Sequence, residues 1–217
     1  MGISAQDVER IYTNGSPRTY DAYLSRTLGK YKKRAFADSS LQEGDRVLVF
    51  CCGTGLDFPF ILERVGAKGA IVGVDFSPAM LGRARERVEE NSWQNVELIE
   101  ADVTNFAYTS GDPFDAGVCT LGISIIPDCM AAYRNLVSHV RPQGHVVVGD
   151  MQLASAWEAI FNPLTVFLSR DFGGSHTGHE NSAALRQLMK SELADVRTAE
   201  FFLGSYFYCV GRVAGPQ

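Results

Sequence analysis

The sequence predicts an α/β protein built on a doubly wound, mostly parallel sheet. Three observations predict it. Strand-like runs at 47–50, 70–74, 96–100, 114–120 and 145–149 alternate with segments of helical spacing. The connections between them are short, as parallel crossover units require. The first run, Val47 to Phe50, is continuously apolar, the composition of a strand buried on both faces, and it stops at Cys51-Cys52-Gly53-Thr54-Gly55, a strand-to-helix turn.

Taken in order, residues 3–11 form a short helix that Asn14-Gly15-Ser16-Pro17 ends. Ser16 then caps a second helix with Pro17 at its first position. Tyr20, Leu24, Leu28, Tyr31 and Ala35 share one face of that helix, and Arg26, Lys30, Lys33 and Arg34 the other. The basic side is either a solvated face or one that touches an anionic membrane surface or an acidic substrate. After the glycine turn, 56–65 is a helix ending near Gly66, and 70–74 is a strand carrying Asp75 at its end. Ser77-Pro78 opens a helix running to about Asn91. Strands at 96–100 and 114–120 follow. Met130, Tyr133, Val137 and Val140 mark the next helix, closed by Arg141-Pro142-Gln143-Gly144 before strand 145–149. Helical segments are expected around 157–167 and 182–189, with a Gly-rich loop at 170–181 between them. Two β-rich runs, 196–203 and 206–213, are joined at Gly204-Ser205, a hairpin signal. No linker divides the chain, so 1–217 reads as one domain: a helical cap at 1–40, a ligand-binding core at 41–150, and substrate-side helices with the hairpin at 151–217.

Composition narrows the function classes. The chain has 217 residues, 46% hydrophobic and 21% charged, with a net charge of -5 and a pI near 5.4. An acidic balance weighs against a nucleic-acid partner, which needs a basic field. Five cysteines, with Cys51 and Cys52 adjacent and no C-x-x-C spacing, suit reduced thiols in a cytoplasm. The N-terminus lacks a signal-peptide pattern, and no apolar run approaches the roughly 18 residues of a membrane span. His176 and His179 stand near Asp171 with no third ligand in register, so no metal is expected.

Gly53 and Gly55 let backbone N–H groups approach a ligand closely, and the helix N-terminus after them favours an anionic or polar group. Asp75, twenty residues beyond Gly55, stands where a carboxylate holds both hydroxyls of a ribose. A nicotinamide dehydrogenase is excluded by the loop, because the third glycine of its fingerprint would fall on Phe58.

The ordered motifs VLVFCCGTG, VGVDFSPAML, EADVTNF, FDAGVCTLG and RPQGHVVVGD, with a terminal hairpin, resemble the class I S-adenosylmethionine-dependent methyltransferases over essentially the whole chain. Tyr20-Asp21 resembles the Tyr-Asp ahead of the fold in small-molecule methylases of the quinone, phosphocholine and bacterial phosphatidylethanolamine types. The resemblance implies a Rossmann-like, seven-stranded sheet with one antiparallel strand and an N-terminal helical cap. It also implies S-adenosyl-L-methionine as cofactor and methyl transfer to a small-molecule or lipid-like acceptor at nitrogen or oxygen. By position, Cys51, Gly53 and Gly55 would hold the methionine part, and the Tyr20 hydroxyl would reach the cofactor. Asp75 would hold the ribose, Phe76 and Met80 would pack near the adenine, Asp102 and Val103 would read its edge, and Thr120 would lie beneath the sulfonium.

Two positions depart from the family loop. Val49 stands where an acid is usual, and Cys51 replaces the first glycine. They leave open transfer or cyclisation of the aminocarboxypropyl chain, which releases methylthioadenosine, and a non-catalytic cofactor-binding role. Cys51 and Cys52 are read as packing residues, with reactive thiols as the alternative. Catalytic candidates are Tyr12 from the cap, Asp150 after the fifth strand and His176 from the Gly-rich loop, with Ser124 nearby. For Asp150 a helix cap ahead of Met151 is the competing reading. Tyr12 and Tyr20 resemble the paired tyrosines of phosphoethanolamine methyltransferases, but LGISIIPD lacks the histidine those enzymes carry after the fourth strand. The acceptor pocket is expected from 157–172 with Tyr206 and Tyr208.

Overall fold

A computed structural model describes residues 17–170 and 173–215. The expected helix at 3–11 and Tyr12 lie outside the described residues. Among the described residues, six α-helices, α1 (Pro17–Asp38), α2 (Phe58–Val65), α3 (Pro78–Glu90), α4 (Cys129–Ser138), α5 (Asn162–Ser169) and α6 (His176–Glu192), surround one sheet. Its strands are β1 (Arg46–Phe50), β2 (Ala70–Asp75), β3 (Val96–Glu100), β4 (Phe114–Thr120), β5 (Val140–Met151), β6 (Ala194–Phe201) and β7 (Tyr206–Arg212).

The seven strands lie in the order β3-β2-β1-β4-β5-β7-β6. β1 pairs in parallel with both β2 and β4, and β7 runs antiparallel between β5 and β6. The sheet is therefore the doubly wound architecture with a terminal hairpin that the motif order implies. Winding reverses between β1 and β4, and ligands of open α/β sheets bind beyond the carboxyl ends of the strands at such a reversal. β1 shows why its apolar run is unbroken. Leu48 and Phe50 enter the core on one face, while Val47 and Val49 enter the core on the other.

The helix α1 is fastened over the strand ends by buried charge. Leu28, Ala35 and Phe36 bury its apolar side, while Lys30, Lys33 and Arg34 are exposed. Lys32 is buried, with its Nζ 2.9 Å from Asp57 Oδ1. Thr120 Oγ1, at the end of β4, donates to Asp57 Oδ2 at 2.6 Å. Nearer the start of α1, Asp21 accepts from Thr54 Oγ1 and, at 2.5 Å, from Arg87 Nη2 on α3.

Three local expectations are corrected. Arg141-Pro142-Gln143-Gly144 does not close a helix before a strand at 145–149, since β5 already runs from Val140. A register shift between Phe114 and Ala116 and a left-handed Gln143 let the proline sit in a strand without breaking a ladder bond. The Gly-rich loop is shorter than 170–181, because Ser175 accepts from Gly178 N and caps α6 at His176. The hairpin turn is also wider than Gly204-Ser205. Phe202, Leu203 and Gly204 take φ of 52°, 55° and 82°, and Ser205 N donates to Phe202 O at 3.1 Å.

Breaking the Lys32–Asp57 pair leaves a buried carboxylate without its counter-charge. Lys32→Met should lower unfolding free energy by about 3 kcal/mol in urea titration, and adding Asp57→Asn should recover much of that loss. A change within about 0.5 kcal/mol would contradict the buried pair.

Candidate active site

The carboxyl ends of β1 to β3 open into a cavity of about 320 Å³. Cys51, Gly53, Asp75, Phe76, Met80, Asp102 and Val103 line it. These are seven of the ten residues expected to bind the cofactor, brought together from three strand ends and the start of α3. Asp75 links two of those ends: its Oδ2 accepts from Gly53 N at 2.8 Å and its Oδ1 from Ser77 N at 3.0 Å. Burial raises the pKa of this carboxyl, and the N–H groups of Ser77, Gly53 and Phe76 oppose the rise. A carboxylate has about four acceptor sites, so these bonds leave capacity for hydroxyl donors. Asp102 is fixed by Thr104, whose N and Oγ1 donate to Asp102 Oδ1 at 2.8 and 2.7 Å.

The other three are placed differently. Gly55 lies behind the loop at φ +76°, where a Cβ would stand 2.7 Å from the Phe58 ring; it permits helix packing rather than lining the cavity. Thr120 is turned to Asp57, as described above. Tyr20 falls on α1, with its side chain outside the described residues.

The altered positions in the loop have local explanations. Val49 is fully buried in the apolar core, so an acid there would lose its solvation. Cys51 takes φ +50°, a conformation that costs a non-glycine residue roughly 1 kcal/mol. Gly122 makes room for it, since a Cβ on Gly122 would lie 2.4 Å from Cys51 Cβ. The Cys51 thiol is pushed well up by its hydrogen bond with Cys119 and by burial, and burial likewise raises Cys52. Both shifts oppose thiolate formation, the condition for a reactive thiol.

A second cavity, about 520 Å³, lies beside the first. Leu121 and Ile125 line both. Leu28, Phe161, Leu164, Leu168, Phe202 and Leu203 supply much of its apolar wall. Its polar groups include Ser124, Asp150, Thr165, His179 and Ser205. Asp150 caps no helix at Met151, because β5 continues through that residue. Instead its Oδ1 accepts from Ser124 Oγ at 2.7 Å and Met151 N at 2.6 Å, and its Oδ2 from Ser124 N at 3.0 Å. Burial raises its pKa against those bonds.

The two histidines separate. His176 is exposed, 3.3 Å from Glu180, and is not among the lining residues of either cavity. His179, one turn on, is fully buried and lines the second cavity, with Nε2 3.3 Å from Ser169 Oγ. Burial first, then the His176 charge, lowers its pKa to about 4. The sequence signal for His179 is the helical stripe of Ser182, Leu185 and Met189, which extends back one turn to 179 inside the helix that Ser175 caps. Tyr206 and Tyr208 belong to the core instead of the pocket wall, the latter donating to Asp38. Trp157 is exposed, and Phe172 lies outside the described residues. Among the described residues no group of His, Cys, Asp and Glu is arranged to hold a metal ion, and no helix is long and apolar enough to cross a membrane.

Residues 47–144 match the family model for a methyltransferase domain. The chain is 30% identical over 146 residues to demethylmenaquinone methyltransferases of Listeria welshimeri and Listeria monocytogenes. That alignment covers 66% of this chain and 61% of each relative, so the chain spans under two thirds of their length. A solved S-adenosylmethionine-dependent methyltransferase from Aquifex aeolicus shares the fold with TM-score 0.66 and 16% identity, over 93% of this chain and all of that one. An O-methyltransferase family protein from Burkholderia thailandensis does so with TM-score 0.68 and 15% identity, over 95% and 62%. Residues 47–144 are thus similar to a methyltransferase domain, and the fold is one that solved methyltransferases share.

The first cavity has the groups that a nucleoside cofactor such as S-adenosylmethionine needs. It offers a carboxylate with free acceptor capacity at Asp75, a second at Asp102, and apolar surface from Phe76, Met80 and Val103.

Gly122→Ala should lower the melting temperature by forcing Cys51 out of place. Cys51→Gly in the same chain should restore it, and a Gly122→Ala protein melting like wild type would refute this packing.

Proposed function

We propose that the chain transfers a methyl group to a small, lipid-like acceptor at nitrogen or oxygen, with S-adenosylmethionine in the first cavity and the acceptor in the second. One observation carries this reading: the two cavities meet at the shared wall of Leu121 and Ile125. Methyl transfer is an in-line displacement, so alignment across a common wall and exclusion of water are the protein's main contributions. When bound, the cofactor supplies an electrophilic methyl group on a sulfonium.

In this reading Asp75 holds the ribose, Phe76 and Met80 pack on the adenine, and Asp102 with the Val103 backbone reads its edge. Gly53 and Cys51 carry the amino-acid half. The apolar wall of the second cavity suits an acceptor with a hydrocarbon part, and the quinone class named for the Listeria relatives has that character. Asp150 is the proton acceptor. Its carboxylate is oriented from three sides, and its raised pKa makes it a stronger base than an ordinary aspartate. His179, with its pKa near 4, is neutral at physiological pH and orients rather than titrates. His176 takes no part in this reading, and the five unpaired cysteines support a reducing compartment such as the cytoplasm.

The spent cofactor distinguishes methyl transfer from aminocarboxypropyl chemistry, which the Cys51 substitution keeps in view. Incubation with S-adenosylmethionine and a total lipid extract, read by mass spectrometry, should yield S-adenosylhomocysteine. Methylthioadenosine would overturn methyl transfer. Asp150→Asn should lower turnover at saturating cofactor by about a hundredfold, and wild-type activity should fall on acidification at a higher pH than an ordinary carboxylate would impose. Undiminished turnover by Asp150→Asn would remove the base assignment.

A further inference from the structure

Seven large apolar side chains are exposed among the described residues, and they cluster. Trp157, Ile160, Leu164, Phe167 and Leu168 come from the 3₁₀ turn Ala156–Phe161 and the helix α5 that follows it. Phe202 and Leu203 come from the tip of the β6–β7 hairpin. The two groups face one opening, because Leu164, Leu168, Phe202 and Leu203 all line the second cavity.

The hairpin tip is unusual in its chemistry. Left-handed backbone at consecutive turn positions is ordinarily taken by Gly, Asn or Asp. Here Phe202 and Leu203 occupy it, with 48% and 50% of their surfaces exposed. Neither burial nor turn propensity accounts for them, and strain of this kind collects at ligand clamps and contact surfaces.

Cations border the patch. The Tyr31 ring lies 5.0 Å from that of Phe202, and Lys30 Nζ stands 4.8 Å from the Tyr31 centroid. Arg34 lies 5.8 Å from the ring of Phe201. At the other end, Arg170 Cζ is 4.3 Å from the Phe167 centroid. Lys33 shares the exposed side of α1, and Glu158 is the acid within 156–170. The chain as a whole carries -5, so this border runs against its average charge.

We infer that this face docks on an anionic lipid bilayer, with α5 and the hairpin tip in the interfacial layer and the second cavity opening towards the lipid. An apolar surface with Trp and Phe at its edge and flanking Lys and Arg has the composition of an interfacial contact. The basic border supplies charge complementarity to an anionic surface, and it opposes pairing of this face with its own copy, in which the same cations would meet. A lipid-tailed acceptor would then pass from the bilayer to the Ser124–Asp150 end without crossing water. Docking itself does not depend on the group transferred, and it is measured without cofactor.

The test uses the full chain and sedimentation with vesicles of equal parts phosphatidylcholine and phosphatidylglycerol, beside vesicles of phosphatidylcholine alone. The protein should partition to the anionic vesicles, and less so at high salt. A Trp157→Ser/Ile160→Ser/Phe167→Ser variant alters exposed side chains outside both cavities. It should keep its melting temperature and its calorimetric affinity for S-adenosylhomocysteine while losing about tenfold or more in vesicle partition. Failure of the wild-type chain to sediment, or equal partition by the variant, would overturn the inference. A wild-type dimer that the variant makes monomeric, without vesicle binding, would overturn it in favour of a second copy of this chain.

Discussion

A buried charge chain, Lys32 to Asp57 to Thr120, holds the three parts of the molecule on which both cavities depend. Lys32 comes from the N-terminal helix, Asp57 from the entry of the helix after the glycine turn, and Thr120 from the end of the fourth strand. Burying an ammonium and a carboxylate is costly unless each keeps a close partner and further hydrogen bonds. Here the ammonium meets one oxygen and the threonine hydroxyl the other. The segment after Thr120 turns through Leu121 to Ile125, the wall between the two cavities, so the placement of that wall follows from the anchor.

Asp75 and Asp150 repeat the same physics at the strand ends. Each is a buried carboxylate whose desolvation is offset by backbone N–H donors from a neighbouring turn. Asp75 ties the glycine loop to the second strand, and Asp150 ties the turn after the fourth strand to the fifth. One faces the first cavity and the other the second. Two carboxylates in similar local settings thus serve different compartments, and the sheet's reversal between β1 and β4 sets them apart.

Much of this was legible in the sequence because it depends on short-range rules. The unbroken run at 47–50, the alternation of strands and helices, and Asp75 at a strand end required no knowledge of tertiary contacts. Seven of the ten expected cofactor residues line one cavity; Gly53 and Asp75 follow from those rules, and the others from the resemblance in motif order. What was missed depends on contacts distant in sequence. Lys32 reads as one more cation on a basic helix until Asp57 is placed beside it. Thr120 looks directed at a ligand until the same carboxylate takes its hydrogen bond. Cys51 looks like a defect in a glycine loop, and Gly122, seventy-one positions later, is what accommodates it. His179 pairs with His176 in a Gly-rich segment that reads as loop, until the cap at Ser175 places both on one helix with 176 exposed and 179 buried. Proline at 142 suggested the end of an element, whereas a bulge absorbed it.

The account rests on the first cavity being a nucleoside site organised by Asp75. Isothermal titration of the full chain with S-adenosylhomocysteine tests that most directly. The account predicts saturable one-to-one binding by the wild-type chain and none detectable for Asp75→Ala at the same concentrations, with both proteins folded by circular dichroism. No binding by the wild-type chain, or unchanged affinity in the variant, would contradict it.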